Sequence, residues 1–258
     1  MTEMLPTQAL NDSPIPAPHG ALRTSWVEGP FLGFDTETTG VSTSQDRIVT
    51  AALVHRHPLL GTTVQTWLID PGVEIPEGAA AIHGITTEHA RAHGQQPVEA
   101  LEEIAAQIAQ ALADGTPLVA SNATFDVCLL DAELRRHGLA TLADRLGGQV
   151  VGVIDPLVLD RAVDRFRKGK RKLVDLCGVY GVHEAGDLHT ADVDVIATLD
   201  VLAAMARRHP TLGELDLPGL HAFQLDAHRT WATSFNEWRV RQGFEGPGAG
   251  LEWLVDGR

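Results

Sequence analysis

The stretch Phe34-Asp35-Thr36-Glu37-Thr38-Thr39-Gly40 places two carboxylates two positions apart. On a β-strand, residues i and i+2 project from the same face, so Asp35 and Glu37 stand side by side just ahead of a glycine turn, where a ligand can approach. Adjacent carboxylates repel unless a cation lies between them. Hard oxygen donors at that spacing suit Mg²⁺ or Mn²⁺, not zinc. An acidic strand end with solvated side chains has the same pattern, so the pair alone does not decide. A further acid closes Ser121-Asn122-Ala123-Thr124-Phe125-Asp126, where a buried strand turns into a helix. The helix dipole favours a carboxylate in that first turn with or without a metal. The third cluster is His189-Thr190-Ala191-Asp192-Val193-Asp194. Five helical steps leave two side chains about 140° apart. His189 and Asp194 therefore converge only if His189 precedes a helix that contains Asp194. Thr190 as N-cap gives that arrangement, with Asp192 an exposed first-turn acid.

The elements that must position these groups follow from periodicity. Phe31–Thr36, Arg47–His55 and Thr63–Asp70 read as strands rich in β-branched residues. A loop with Pro71, Gly72 and Pro76 leads to helical material. Pro97 then opens a helix to about Ala113, with Val98, Leu101, Ile104, Ala105, Ile108 and Leu112 on one face. Leu118–Ala120 and Val150–Ile154 read as buried strands; Thr124–Arg136, a segment opening at Pro156, Leu173–Tyr180 and Ala191–Arg208 read as helices. The order predicts an α/β fold, a mixed sheet with helices on its faces. After Pro210, apolar residues from Leu220 through Phe223, Ala227, Trp231 and Phe235 to Trp238 recur at spacings of three and four, a C-terminal helical extension. Its purpose is open between capping the core, dimerising and docking a partner. Residues 1–24, with four prolines, read as a mobile tail, 25–209 as the catalytic domain and 210–258 as the extension.

Composition bounds the function loosely. The chain has 258 residues, 44% hydrophobic and 21% charged, enough for a sizeable core. A net charge of −14 argues against a protein that coats nucleic acid through many phosphate contacts. It is compatible with an enzyme whose positive charge comes from bound cations. Six of the 20 basic residues fall within 165–172, and Arg167, Lys168, Lys170 and Arg171 there are candidates for tracking phosphates, although a charge run is also what a solvated face looks like. Cys128 and Cys177 sit in apolar stretches and read as buried free thiols. Neither a signal peptide nor an 18-residue apolar run is present, so the expectation is cytoplasmic, without a membrane partner.

Taken together and in this order, Asp35, Glu37, Asp126, His189 and Asp194 resemble the DEDDh 3′→5′ exonuclease superfamily, which contains polymerase III proofreading epsilon subunits and ribonuclease T. The resemblance spans roughly residues 30–208 and includes Ile82-His83-Gly84-Ile85-Thr86 between the first two motifs. It implies a ribonuclease-H-like five-stranded sheet and two Mg²⁺ or Mn²⁺ ions held by the four carboxylates, with His189 as general base. It further implies contacts to the terminal nucleotide from Thr38, Gly40, His83, Asn122 and Phe125, although core packing explains Phe125 equally well. Many epsilon-type members carry His-Asn where this chain has Ser121-Asn122, which bears on substrate contacts more than on metal binding. The implied substrate is nucleic acid with a free 3′ end, with DNA favoured and RNA the alternative. A DNA polymerase or a second copy of the chain is an admissible partner, and a non-catalytic nucleic-acid-binding module on the same fold is the rival reading.

Overall fold

A computed structural model describes residues 26–183 and 190–255; His189 lies outside the described residues. After a 3₁₀ turn at Trp26–Glu28 come β1 (Phe31–Thr38), β2 (Ile48–His57) and β3 (Gly61–Leu68). Helices α1 (Glu77–His83), α2 (Thr87–His93) and α3 (Pro97–Ala113) follow, then β4 (Leu118–Val119), α4 (Ala123–Arg136) and α5 (Leu142–Leu146). The chain continues with β5 (Val153–Ile154), α6 (Pro156–Val163), α7 (Leu173–Tyr180), α8 (Ala191–Arg208), α9 (Pro210–Gly213) and α10 (Leu217–Arg241). The five strands form one mixed sheet in the order β3-β2-β1-β4-β5. β1, β2 and β3 are an antiparallel meander, while β4 and β5 join β1 in parallel.

The period-2 alternation of β1 divides its side chains between the two layers of helices. Leu32 and Phe34 enter the core shared with Leu101 and Ile104 of α3 and Leu129 and Leu130 of α4. Gly33 faces the other layer, where Val195 and Leu199 of α8 join Leu176 of α7 and Leu159 of α6 in a second core. Gly33 is there because α8 comes so close: a Cβ at this position would lie 2.3 Å from Val195 Cγ1. Asp35 and Glu37 continue the Gly33 face.

The parallel strands are shorter than their sequence suggests. Gly152, at φ 91°, interrupts the extended run before Val153, and Asn122, at φ 62°, turns the chain out of the sheet after β4. On α3 the apolar stripe is shifted: Ala100, Leu101, Ile104, Ala105, Ile108 and Ala109 are buried, while Val98 is exposed. No helix among the described residues is long and apolar enough to cross a membrane.

The C-terminal extension is fastened to the edge of the sheet. Gln224 of α10 is fully buried. Its Oε1 accepts from the Asp155 N–H at 2.7 Å and its Nε2 donates to the Val153 carbonyl at 3.0 Å. One side-chain amide thus satisfies the two backbone groups that a neighbouring strand would otherwise pair. Beyond α10 the chain folds back, and Trp253 is buried in the first core with the Leu254 N–H 3.3 Å from Thr124 Oγ1.

Candidate active site

Three elements meet at the C-terminal end of β1. Asp35 and Glu37 come from the strand's α8 face and Asp194 from the first turn of α8. One carboxylate oxygen from each of the three lies within 4.8 Å of the others. The fourth acid, Asp126, arrives from the opposite layer in the first turn of α4 and is buried. Thr36, on the alternate face of β1, donates to Asp126 Oδ1 at 2.7 Å and fixes that carboxylate. The other three acids bear on Asp35 electrostatically. Burial first, then Asp126, Asp194 and Glu37, push its carboxyl well above the usual range. Glu37 is pushed up to about 7 by burial and by Asp194. Asp126 also rises to about 7, chiefly through burial and against the lowering effect of the Thr36 hydroxyl.

These shifts test whether the residues suit a cation. Among the described residues, no cationic side chain figures in the groups acting on Asp35 or Glu37, so these carboxylates concentrate negative charge that protons or an added cation can balance. An all-carboxylate donor set matches a hard divalent ion. In its absence the folded state binds protons more tightly than the unfolded chain. Between the unfolded carboxylate range near 4 and about 7, stability must fall as pH rises, because the unfolded state holds fewer protons there. In EDTA, thermal unfolding should therefore show Tm decreasing from about pH 5 to about pH 7.5, while the Tm gain on adding Mn²⁺ grows across the same interval. A gain independent of pH would contradict cation binding at these carboxylates.

The turn that presents Asp126 is held by a residue the motifs do not include. Asp155, buried at the end of β5, accepts from the Asn122 N–H at 3.1 Å and the Ala123 N–H at 2.9 Å, and it also caps α6 through the Leu157 N–H. Asp155 thus satisfies the α4 N-terminus in place of Asn122, whose own side chain makes no cap and is exposed. An aspartate directly before a proline is a readable helix-start signal. Gly33 was legible in the same way, since a glycine inside a strand marks a close approach.

Among the residues expected to meet substrate, Thr38 closes the strand with its hydroxyl donating to the Gly40 carbonyl at 2.6 Å. Gly40 packs against Asp46, where a Cβ would lie 2.6 Å from a carboxylate oxygen. His83, at the end of α1, is brought beside Thr38, whose backbone acts on its ring. Its Nδ1 accepts from the Ile85 N–H at 3.2 Å, and its Nε2 is buried with no partner among the described residues. Phe125 is half-buried against the first core. The basic stretch divides. Arg167 and Arg171 turn inward and neutralise the fully buried Asp160, which also accepts from the Tyr180 hydroxyl at 2.9 Å. A buried carboxylate needs such partners, so these two arginines are structural first, while Lys168 and Lys170 remain exposed. At the third motif, Thr190 is the N-cap of α8 but makes no side-chain cap, and Asp192 is half-buried where exposure was expected.

The sheet order, the flanking helices and the acids at the end of β1 define a ribonuclease-H-like exonuclease domain, and the chain belongs to the exonuclease family, whose model matches residues 32–202. It is 30% identical over 194 residues to a PolC-type DNA polymerase III of Streptococcus thermophilus, a match covering 73% of this chain but 12% of that protein. Among solved structures it resembles Escherichia coli exonuclease I in a zinc-bound complex with single-stranded DNA, at TM-score 0.62 and 20% identity, covering 84% of this chain and 46% of that one. Exonuclease I from Methylocaldum szegediense aligns at TM-score 0.60 and 23% identity, covering 78% of this chain and 43% of that one. The chain thus spans under half the length of these proteins.

Proposed function

We propose that this exonuclease removes nucleoside 5′-monophosphates one at a time from the 3′ end of single-stranded DNA, in proofreading or repair. The reading rests on the convergence of Asp35, Glu37 and Asp194 within 4.8 Å, with Asp126 held beside them by Thr36. Asp35, Glu37, Asp126 and Asp194 would hold two divalent cations, Mg²⁺ or Mn²⁺. When bound, such cations activate water and stabilise the leaving 3′ oxygen.

The chain's own residues do the rest. Thr36 keeps Asp126 oriented, so that this carboxylate needs little reorganisation when the site fills. His83 offers its Nε2 to the terminal nucleotide from beside the Thr38 backbone. His189, just ahead of α8 in the sequence, takes the proton from the attacking water as general base. The 30% identity to a PolC-type polymerase favours DNA as substrate.

Side-by-side digestion of 5′-labelled DNA and RNA oligonucleotides tests the reading. Stepwise shortening of DNA from the 3′ end, abolished by EDTA, is the expected result, and RNA cleaved faster than DNA would reassign the substrate. His189→Ala should retain the Mn²⁺-induced rise in Tm while turnover slows by about 10²-fold or more, the usual worth of a general base. Unchanged turnover would remove His189 from the mechanism.

A further inference from the structure

The aromatic stripe of α10 does not stay in the core. Leu220 and Ala227 pack inward, but Trp231, Phe235 and Trp238 emerge along one wall of a cavity of about 650 Å³ between α10 and α6. Their rings are stacked: Trp231 and Phe235 have centroids 5.3 Å apart at 15°, and Phe235 and Trp238 5.8 Å apart at 27°. The stack fixes them as one rigid apolar surface, with Trp238 still 43% exposed. The opposite wall is basic. Arg161 of α6 lies with its guanidinium carbon 3.6 Å from the centre of the Trp231 ring, and Arg165 reaches across to Ser234 Oγ at 3.3 Å. Arg167 and Arg171 are spent on Asp160, and Asp155 and Asp160 also act on Arg161 from a distance, whereas Arg165 is exposed and forms no ion pair among the described residues. Asp226 is the one acid in the lining. A chain of net charge −14 thus sets guanidinium groups against an aromatic wall, Arg161 resting on the Trp231 ring and Arg165 exposed.

Both walls are joined to the turn that presents Asp126. α6 begins at Asp155, which holds the Asn122 and Ala123 amides. α10 is tied through His228 to the Gly250 carbonyl at 3.0 Å, and the same returning segment places the Leu254 N–H on Thr124, two residues from Asp126. Both walls of the cavity are thus tied to the turn that presents Asp126.

We propose that this cavity binds the unpaired nucleic-acid strand behind the nucleotide being removed, with bases against the Trp231–Phe235–Trp238 wall and phosphates on Arg161 and Arg165. Aromatic surface with arginine is the chemistry that holds single strands without reading their sequence, and the positive charge matches phosphate in a protein otherwise built to repel it. An acidic peptide would use the arginines but leave the aromatic wall without a matching ring. The inference depends on the exonuclease reading above and extends it beyond the terminal nucleotide.

Two substrates separate the ideas. The p-nitrophenyl ester of thymidine 5′-monophosphate fills only the position of the nucleotide being removed; a dodecathymidylate extends beyond it. For Arg165→Glu and Trp238→Ala, both at exposed positions, the ratio of kcat/KM on the dodecamer to kcat/KM on the ester should fall at least about tenfold, mainly through KM on the dodecamer. A ratio equal to that of the unsubstituted protein would overturn the proposal. Failure of the unsubstituted protein to cleave either substrate with Mg²⁺ or Mn²⁺ would instead sink the exonuclease reading. A second measurement avoids cavity substitutions altogether. With Asp35→Asn to halt turnover, dodecamers carrying 4-thiothymidine at successive positions are photocrosslinked. Crosslinks from interior positions should map to 231–238, and crosslinks confined to the neighbourhood of Phe125 would contradict the assignment.

Discussion

Asp35→Asn should lower exonuclease turnover by about 10⁴-fold, equivalent to roughly 5.4 kcal/mol of barrier, and should at the same time raise the Tm of the metal-free protein. Asp35 is the acid on which Asp126, Asp194 and Glu37 all act, and burial already disfavours its charge. Removing that charge withdraws the carboxylate proposed as the central cation ligand. It also relieves the repulsion that the folded state carries when no ion is bound. The pairing of a large loss of activity with a gain in apo stability is distinctive: a residue that merely supports the fold would lose both. Thermal unfolding in EDTA at pH 7.5, alongside hydrolysis assays in Mn²⁺, checks the two halves together. An Asp35→Asn protein that is less stable than its parent in EDTA would show that repulsion is not what shapes the site.

Gly33→Val is expected to damage the site from a distance. The residue touches none of the acids, yet it governs how closely α8 lies on β1, because a Cβ there would fall 2.3 Å from Val195 Cγ1 and 3.1 Å from Leu199 Cδ1. Val195 is β-branched and buried in a packed core, so it cannot rotate aside cheaply. The helix must retreat by more than about 1 Å, and it carries Asp194 with it. Overpacking of this kind costs about 1–3 kcal/mol of stability. Misplacement of about 1 Å near reacting groups costs on the order of 10²-fold, and a displaced cation ligand adds to that. The variant should therefore fold, unfold at lower temperature, and bind Mn²⁺ more weakly than its stability loss explains. Titration of Mn²⁺ followed by tryptophan fluorescence or calorimetry measures this. Parental Mn²⁺ affinity in a folded Gly33→Val protein would mean that β1–α8 spacing does not set the site.

The acids were legible in the sequence because each occupies a position whose geometry is local. Asp35 and Glu37 share a face by strand alternation alone, and Asp126 and Asp194 fall in first turns marked by the residues around them. The order of elements was equally readable, since α3, α8 and the three long strands carry strong periodicity. The supports were harder to see. Thr36 is one threonine in a run of polar residues, and only the sheet shows that it points at α4 while its neighbours point at α8. Gln224 looked like an ordinary polar residue on an amphipathic helix; its burial depends on an unpaired strand edge that no local pattern reveals. Arg167 and Arg171 looked free because Asp160, which binds them, sits on the preceding helix and reads as one more exposed acid. The short helices α1, α2 and α5 have too few turns for periodicity to separate them from loop, so they appeared as undivided helical material or not at all.

The side-chain amide of Gln224 gives the sheet two unlike borders. At β5, hydrogen-bonding capacity is used up within the molecule, so another extended peptide finds nothing there to add to. At β3 the outer rim of Gly61–Gln65 is exposed, and its polar threonines make it a weakly adhesive border instead of a covered one. Any strand-to-strand recruitment, whether productive or pathological, is thereby directed to the border that begins at Gly61.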